Sequence, residues 1–171
     1  MGSKKGDADG AAPPRKSARC PRKIISGGQT GVDRAALDAA IALGIPHGGW
    51  CPRGRRAEDG RIPSRYALAE TDSPVYAVRT ERNVLDADAT LILCRGPLRG
   101  GTALTRRFAQ QHGKPYLVVN LDHPPDNAEI HRWLRESRIG VCNVAGPRES
   151  QSPGIYALAR RYLEALFGQR R

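Results

Sequence analysis

Short apolar runs recur along the chain. Each is closed by turn residues and followed by a stretch in which apolar positions fall three and four residues apart. Ile24–Ser26 leads into a helical pattern over Val32–Leu43 that stops at Gly44. Pro46–Pro52 reads as a short strand; a charged loop over Arg53–Arg61, a helix over 63–70 entered through Pro63, and a weak strand over Val75–Val78 come next. Thr80 is placed to cap a helix ending near Asp86. Ala89–Cys94 is the strongest strand pattern, and Gly100-Gly101-Thr102 leads into a helix over Ala103–His112 that ends at Gly113. Strand Tyr116–Asn120, a helix near Asn127–Glu136, strand Ile139–Val144 and a last helix from Ser152-Pro153 to Phe167 complete the series.

Strands that are continuous apolar runs, alternating with helices, predict a mainly parallel sheet covered by helices on both faces, a doubly wound α/β fold. No internal repeat or second domain is visible, so residues 1–22 are expected to form a basic tail and 23–171 a single ligand-binding domain. With Val75–Val78 as third strand, the usual order runs third, second, first, fourth, fifth. Strand 24–26 then lies beside strand 89–94, with a crevice at their carboxyl ends.

Two glycine corners would face that crevice: Ser26-Gly27-Gly28-Gln29-Thr30-Gly31 and Arg99-Gly100-Gly101-Thr102. Strand, glycine turn and helix in succession aim backbone N–H groups and a helix N-terminus at one point, the arrangement that holds phosphate or another small anion. The first corner is not a Walker loop, because Asp33 follows where a lysine would help to bind phosphate, and not a dinucleotide fingerprint, because its glycines fall at 27, 28 and 31. A tight turn alone would also use these glycines; Ser26, Gln29 and Thr30 add polar side chains that a turn does not need. Asp33 either stabilises the helix dipole or accepts from a ligand N–H, and Thr102 either caps its helix or donates to phosphate. The arginines of the loop after Pro52 read first as solvated charge; the alternative is a loop folded over the cleft, with Arg53 or Arg56 forking onto phosphate. Arg82 and Asn83, and Asn143 and Arg148, follow further strands on the same sheet edge.

The charge is +11 over 171 residues, and seven basic against two acidic residues within 1–23 supply +5 of it. The rest is spread over a body with few aromatics and no basic helix face, so nucleic acid is not the expected partner. No apolar stretch is long enough to span a bilayer, and neither a secretory nor a myristoylation pattern opens the chain; a cytoplasmic location is the expectation. Cys20, Cys51, Cys94 and Cys142 lack metal or redox spacing, and the four histidines are dispersed. No metal ligand set and no catalytic residue is predicted.

Five blocks, residues 25–40, 49–60, 79–84, 100–105 and 143–150, resemble the molybdenum carrier (molybdenum cofactor carrier) proteins, and the resemblance covers about residues 23–168. That family is similar to a wider Rossmann-like group that includes the cytokinin-activating nucleotide phosphoribohydrolases. The resemblance implies a homo-oligomeric, non-catalytic carrier. It would bind the molybdenum cofactor, a phosphate-bearing pterin dithiolene (or molybdate or another oxyanion), shield it, and exchange it with cofactor biosynthesis proteins and molybdoenzymes. The glycine corners would take the phosphate, with Asp33, Asn83 or Asn143 at the pterin edge. The alternative is a nucleotide enzyme, resembling the nucleoside monophosphate phosphoribohydrolases, or a nucleotide sensor. Those hydrolases carry P-G-G-x-G-T-x-x-E, and the matching residues 99–106 contain no acid.

Overall fold

The computed structural model describes residues 20–168, so most of the expected tail, residues 1–19, lies outside the described residues. The Arg22 and Lys23 amides already bond to the Gly140 carbonyl (2.8 and 3.1 Å), which ties the chain to the domain at that point. In chain order the elements are β1 (Lys23–Ile25), α1 (Val32–Leu43), β2 (His47–Gly48), β3 (Trp50–Cys51), β4 (Arg56–Ala57), β5 (Gly60–Arg61), β6 (Ala69–Glu70) and α2 (Tyr76–Asp86). They continue with β7 (Ala89–Cys94), α3 (Gly100–Gln111), β8 (Tyr116–Asn120), α4 (Asn127–Glu136), β9 (Val141–Ala145) and α5 (Ile155–Phe167).

The main sheet has five parallel strands in the order β2-β1-β9-β7-β8, and β3–β6 and β4–β5 form two small ribbons. This is the doubly wound, Rossmann-like α/β fold that the apolar pattern predicts. Every residue of β7 is buried, as a strand covered on both faces requires. Alternation divides its side chains. Leu91 and Leu93 join Ile24, Val144 and the inner faces of α1, α4 and α5 in the larger core cluster, and Ile92 lies outside that cluster. Ala35, Ala36, Ala39 and Ala40 are fully buried, and side chains this small let α1 pack against both the sheet and α5. Leu37 belongs instead to a second cluster with Cys51, Ile62 and Tyr66 beneath the β4–β5 hairpin.

Three expectations are corrected. Residues 75–78 are not a strand: Val75 is the N-cap of α2, and its amide bonds to the Ser73 hydroxyl (3.1 Å). A short apolar run does not distinguish helix from strand, and here Val75 and Val78 face outward while Thr80, Asn83 and Val84 face inward. Residues 63–70 form turns and β6 rather than a helix. The Arg55 guanidinium takes the carbonyls of Ile62, Pro63, Tyr66 and Leu68 (2.9 to 3.1 Å), acceptors that a helix would have paired with its own amides.

The third correction is the strand order. β9, last in the chain, lies between β1 and β7, so those two strands are not neighbours. The Asp88 carboxylate accepts from the Gly140 and Val141 amides (2.8 and 2.7 Å) and starts β9 beside β7. The Ser26 hydroxyl donates to the Val144 carbonyl (2.6 Å) at the other side. The chain leaves β1 toward one edge and β7 toward the other, so the order reverses at the centre of the sheet. Three loops, after β1, β7 and β9, meet there.

The contact among these loops is tight. A Cβ on Gly146 would lie 2.3 Å from the Leu93 carbonyl oxygen and 2.5 Å from a Val32 methyl. Gly146→Ala is therefore expected to cost about 1–3 kcal/mol through overpacking. Urea unfolding should show the loss as a lower midpoint at unchanged slope.

Candidate functional site

Each of the three loops brings polar groups to the crevice, and α2 adds a fourth set. In the β1–α1 loop the Gln29 carboxamide oxygen accepts from the Thr30 and Glu58 amides (3.0 and 2.9 Å). That fixes the side chain and turns its Nε2 toward the crevice. Asp33, in the first turn of α1, is 3% exposed. Its Oδ2 accepts from the Gln29 amide (3.2 Å) and from Nη1 of Arg79 on α2 (2.9 Å). The Arg79 side chain crosses over Gly27, where a Cβ would lie 1.5 Å from its guanidinium nitrogen. Any side chain at position 27 would displace it.

The result is a small pit of about 40 Å³ whose wall includes Gln29, Asp33, Arg79, Thr102, Arg148 and Gln151. It adjoins a groove of about 400 Å³ between the loops after β7 and β9, and Thr102 and Gln151 line both. Three buried polar atoms on the pit wall have no hydrogen-bond partner: Gln29 Nε2, Arg79 Nε and Thr102 Oγ1. A buried donor left unpaired costs about 1–3 kcal/mol, and three of the four such atoms among the described residues belong to residues that line this pit. The N-terminus of α3 points at the same place without a side-chain cap, and Gly101 has open space where a Cβ would be. Two nitrogen donors, one of them a guanidinium, a hydroxyl and a helix N-terminus together suit an oxyanion.

Burial raises the Asp33 carboxyl above its ordinary value, and the ion pair with Arg79 together with the Gln29 amide opposes that rise. The hairpin β4–β5 closes the outer side of the loops with its acids. The Glu58 carboxylate accepts from the hydroxyls of Thr30 and Ser150 and from the Ser150 amide, and Asp59 takes two bonds from Arg34. Partial burial acts to raise the Glu58 carboxyl, but the bonds from Ser150 and Thr30 outweigh it and hold the group below its ordinary value.

Of the residues singled out by sequence, the pit gathers Gln29, Asp33, Gly101, Thr102 and Arg148, with Gly27 beneath Arg79. Gly100 stands at the start of α3, beside Gln151. The others have duties elsewhere. Gly28 faces Ile62 and Leu68, Gly31 caps α1 against the Pro147 carbonyl, and Ser26 and Thr30 bond to Val144 and Glu58. Asn83 is spent on both backbone groups of Trp50 (2.8 and 3.0 Å), and Asn143 donates to Thr90 between β9 and β7 (3.2 Å). Arg82 lies over the Trp50 ring (4.8 Å). Arg53 is exposed and outside the pit wall. The β1–α1 corner also has fewer free amides than expected, since Gln29 and Thr30 use side chains of their own loop. Sequence reasoning missed Arg79, Thr105 and Gln151. The sequence signal for Arg79 is its place at the head of the block 79–84.

Fold and site together define a class: a doubly wound α/β protein whose last strand lies at the centre of the sheet and whose switch point holds a small polar pit. The chain belongs to the circularly permutated YpsA SLOG family, whose model matches residues 24–167. A permuted chain accounts for a C-terminal strand at the middle of the sheet. A crystal structure at 1.45 Å resolution named "Putative molybdenum carrier protein", from Syntrophus aciditrophicus SB, is similar at a TM-score of 0.82 and 49% sequence identity. The match covers 86% of this chain and 94% of that one, which agrees with the family resemblance carried by the five sequence blocks. No curated protein matches the chain.

Removing Arg79 leaves Asp33 buried and alone. Arg79→Met is expected to destabilise by about 3–5 kcal/mol, and adding Asp33→Asn should recover part of the loss, both measured by chemical denaturation. For Glu58 the folded-state carboxyl lies below its unfolded value, so its contribution is present above the unfolded pKa and is lost as pH falls through the folded one. Glu58→Gln should cost about 1 kcal/mol at neutral pH and flatten the stability decline on acidification, read from melts across the carboxylate range.

Proposed function

We propose that the protein is a carrier that binds the molybdenum cofactor as cargo, shields it, and passes it to molybdoenzymes. The carrying observation is the convergence of three unpartnered buried polar atoms on a pit at the N-terminus of α3. The terminal phosphate of the cofactor fits these donors, and the pit holds about one such group. Its pterin body belongs in the adjoining groove, whose volume falls within the range usual for small-molecule sites. Here Arg79 and Arg148 supply charge to the phosphate, Thr102 and Gln29 supply neutral donors, and Gln151 stands at the junction with the groove. Kinship with a protein named as a molybdenum carrier supports this reading over other phosphorylated ligands. Self-association, exchange with biosynthetic proteins and a cytoplasmic setting are parts of the same proposal.

A nucleotide reading draws on one observation: Asp33 is the only carboxylate on the pit wall, and its raised pKa is of the kind a general acid needs. One experiment separates the two. Protein purified without oxygen and mixed with the cofactor should bind it and slow its oxidative loss, as followed by reconstitution of a cofactor-free molybdoenzyme. It should release no free base from a panel of nucleoside monophosphates; base release that is lost in Asp33→Asn would replace the carrier by an enzyme. Gly101→Asp should abolish cofactor binding with little loss of stability, because a side chain there meets open space while its charge opposes the anion.

A further inference from the structure

We infer that the pit is built for a phosphate group that shares a proton with the protein, and that Asp33 makes it reject bare molybdate and sulfate. The inference rests on the proposed oxyanion site and names which oxyanion it accepts. The pit, at about 40 Å³, is of the size of one small tetrahedral anion. Its wall carries two arginines, Arg79 and Arg148, and the Asp33 carboxylate; Glu58 stands 3.8 Å beyond Arg148. An anion in so small a space lies against Asp33 as well as against the arginines.

The carboxylate is oriented for that encounter. Both hydrogen bonds to it, from Arg79 and from the Gln29 amide, end on Oδ2. The nearby Ser26 hydroxyl gives its single hydrogen to the Val144 carbonyl (2.6 Å). Oδ1 accepts no hydrogen bond from the described residues, and Asp33 lines the pit. A buried carboxylate facing an unprotonated anion oxygen is a like-charge contact, and it is relieved only when one proton lies between them. Phosphate brings that proton: inorganic phosphate retains one throughout the neutral range, and a phosphate monoester has its second pKa at about 6. Sulfate and molybdate carry none near neutrality. Burial, which raises the Asp33 carboxyl, favours the same shared proton from the protein side. The arginines supply attraction to any anion, so discrimination falls to the carboxylate. On this inference the pit receives the phosphate end of the cofactor, and the metal end lies outside it.

The test is calorimetric titration of the full chain at pH 7 and constant ionic strength with inorganic phosphate, sulfate and molybdate. Phosphate should bind at least about tenfold more tightly than either of the others, the size of one unit of proton linkage. With adenosine monophosphate as a monoester probe, affinity should fall by up to about tenfold per pH unit above about 6, reporting uptake of one proton. In Asp33→Asn the preference should collapse, chiefly because sulfate and molybdate gain, and the pH slope should disappear. Sulfate or molybdate binding as tightly as phosphate to the native protein would overturn the role of Asp33 while leaving an oxyanion site in place. Failure of every anion to bind at millimolar concentration would overturn the site itself. The native series decides the matter even if Asp33→Asn fails to fold.

Discussion

The buried pair between Asp33 and Arg79 joins two helices that the sheet alone would not bring into contact. Asp33 enters from α1 and Arg79 from α2, and their bond passes over Gly27, a position that has no room for a side chain. Taking both charges out of water is expensive, and such a pair seldom adds net stability compared with an apolar replacement. Its value here is geometric. With Nη1 held by Asp33, the guanidinium lies across the glycine corner, lines the pit and keeps an unpartnered Nε.

The rest of the site is arranged around that constraint. Gln29 bonds through its amide to Asp33 and through its side-chain oxygen to Glu58, so one residue links the ion pair to the hairpin. Glu58 in turn gathers the loops after β1 and β9 through Thr30 and Ser150. The hairpin meets these loops through its acids, Glu58 and Asp59, and not through its arginines. Its basic residues do other work: Arg55 organises residues 62–68 through four carbonyls, and Arg53 faces solvent. The positive charge that matters to an anion comes from Arg79 and Arg148, on other elements.

Where the hydrolase motif carries a glutamate after its glycines, the first turns of α3 offer Thr102 and Thr105. Thr105 bonds back to its own helix at the Gly101 carbonyl (2.9 Å). The acid on the pit wall, Asp33, is engaged by Arg79.

The sequence by itself determined the alternation of strand and helix, the buried character of Ala89–Cys94, the two glycine corners and the family blocks, because these rest on local periodicity and backbone freedom. It could not determine that β9 lies between β1 and β7, since a strand's place depends on which apolar faces match and on anchors such as Asp88, fifty residues away in sequence from the amides it holds. Nor could it separate Asn83 and Asn143, consumed by neighbouring elements, from Arg79, left with a free donor. All three are polar residues on the same sheet edge. Only the packing of the elements around the centre of the sheet decides which side-chain groups find partners and which do not.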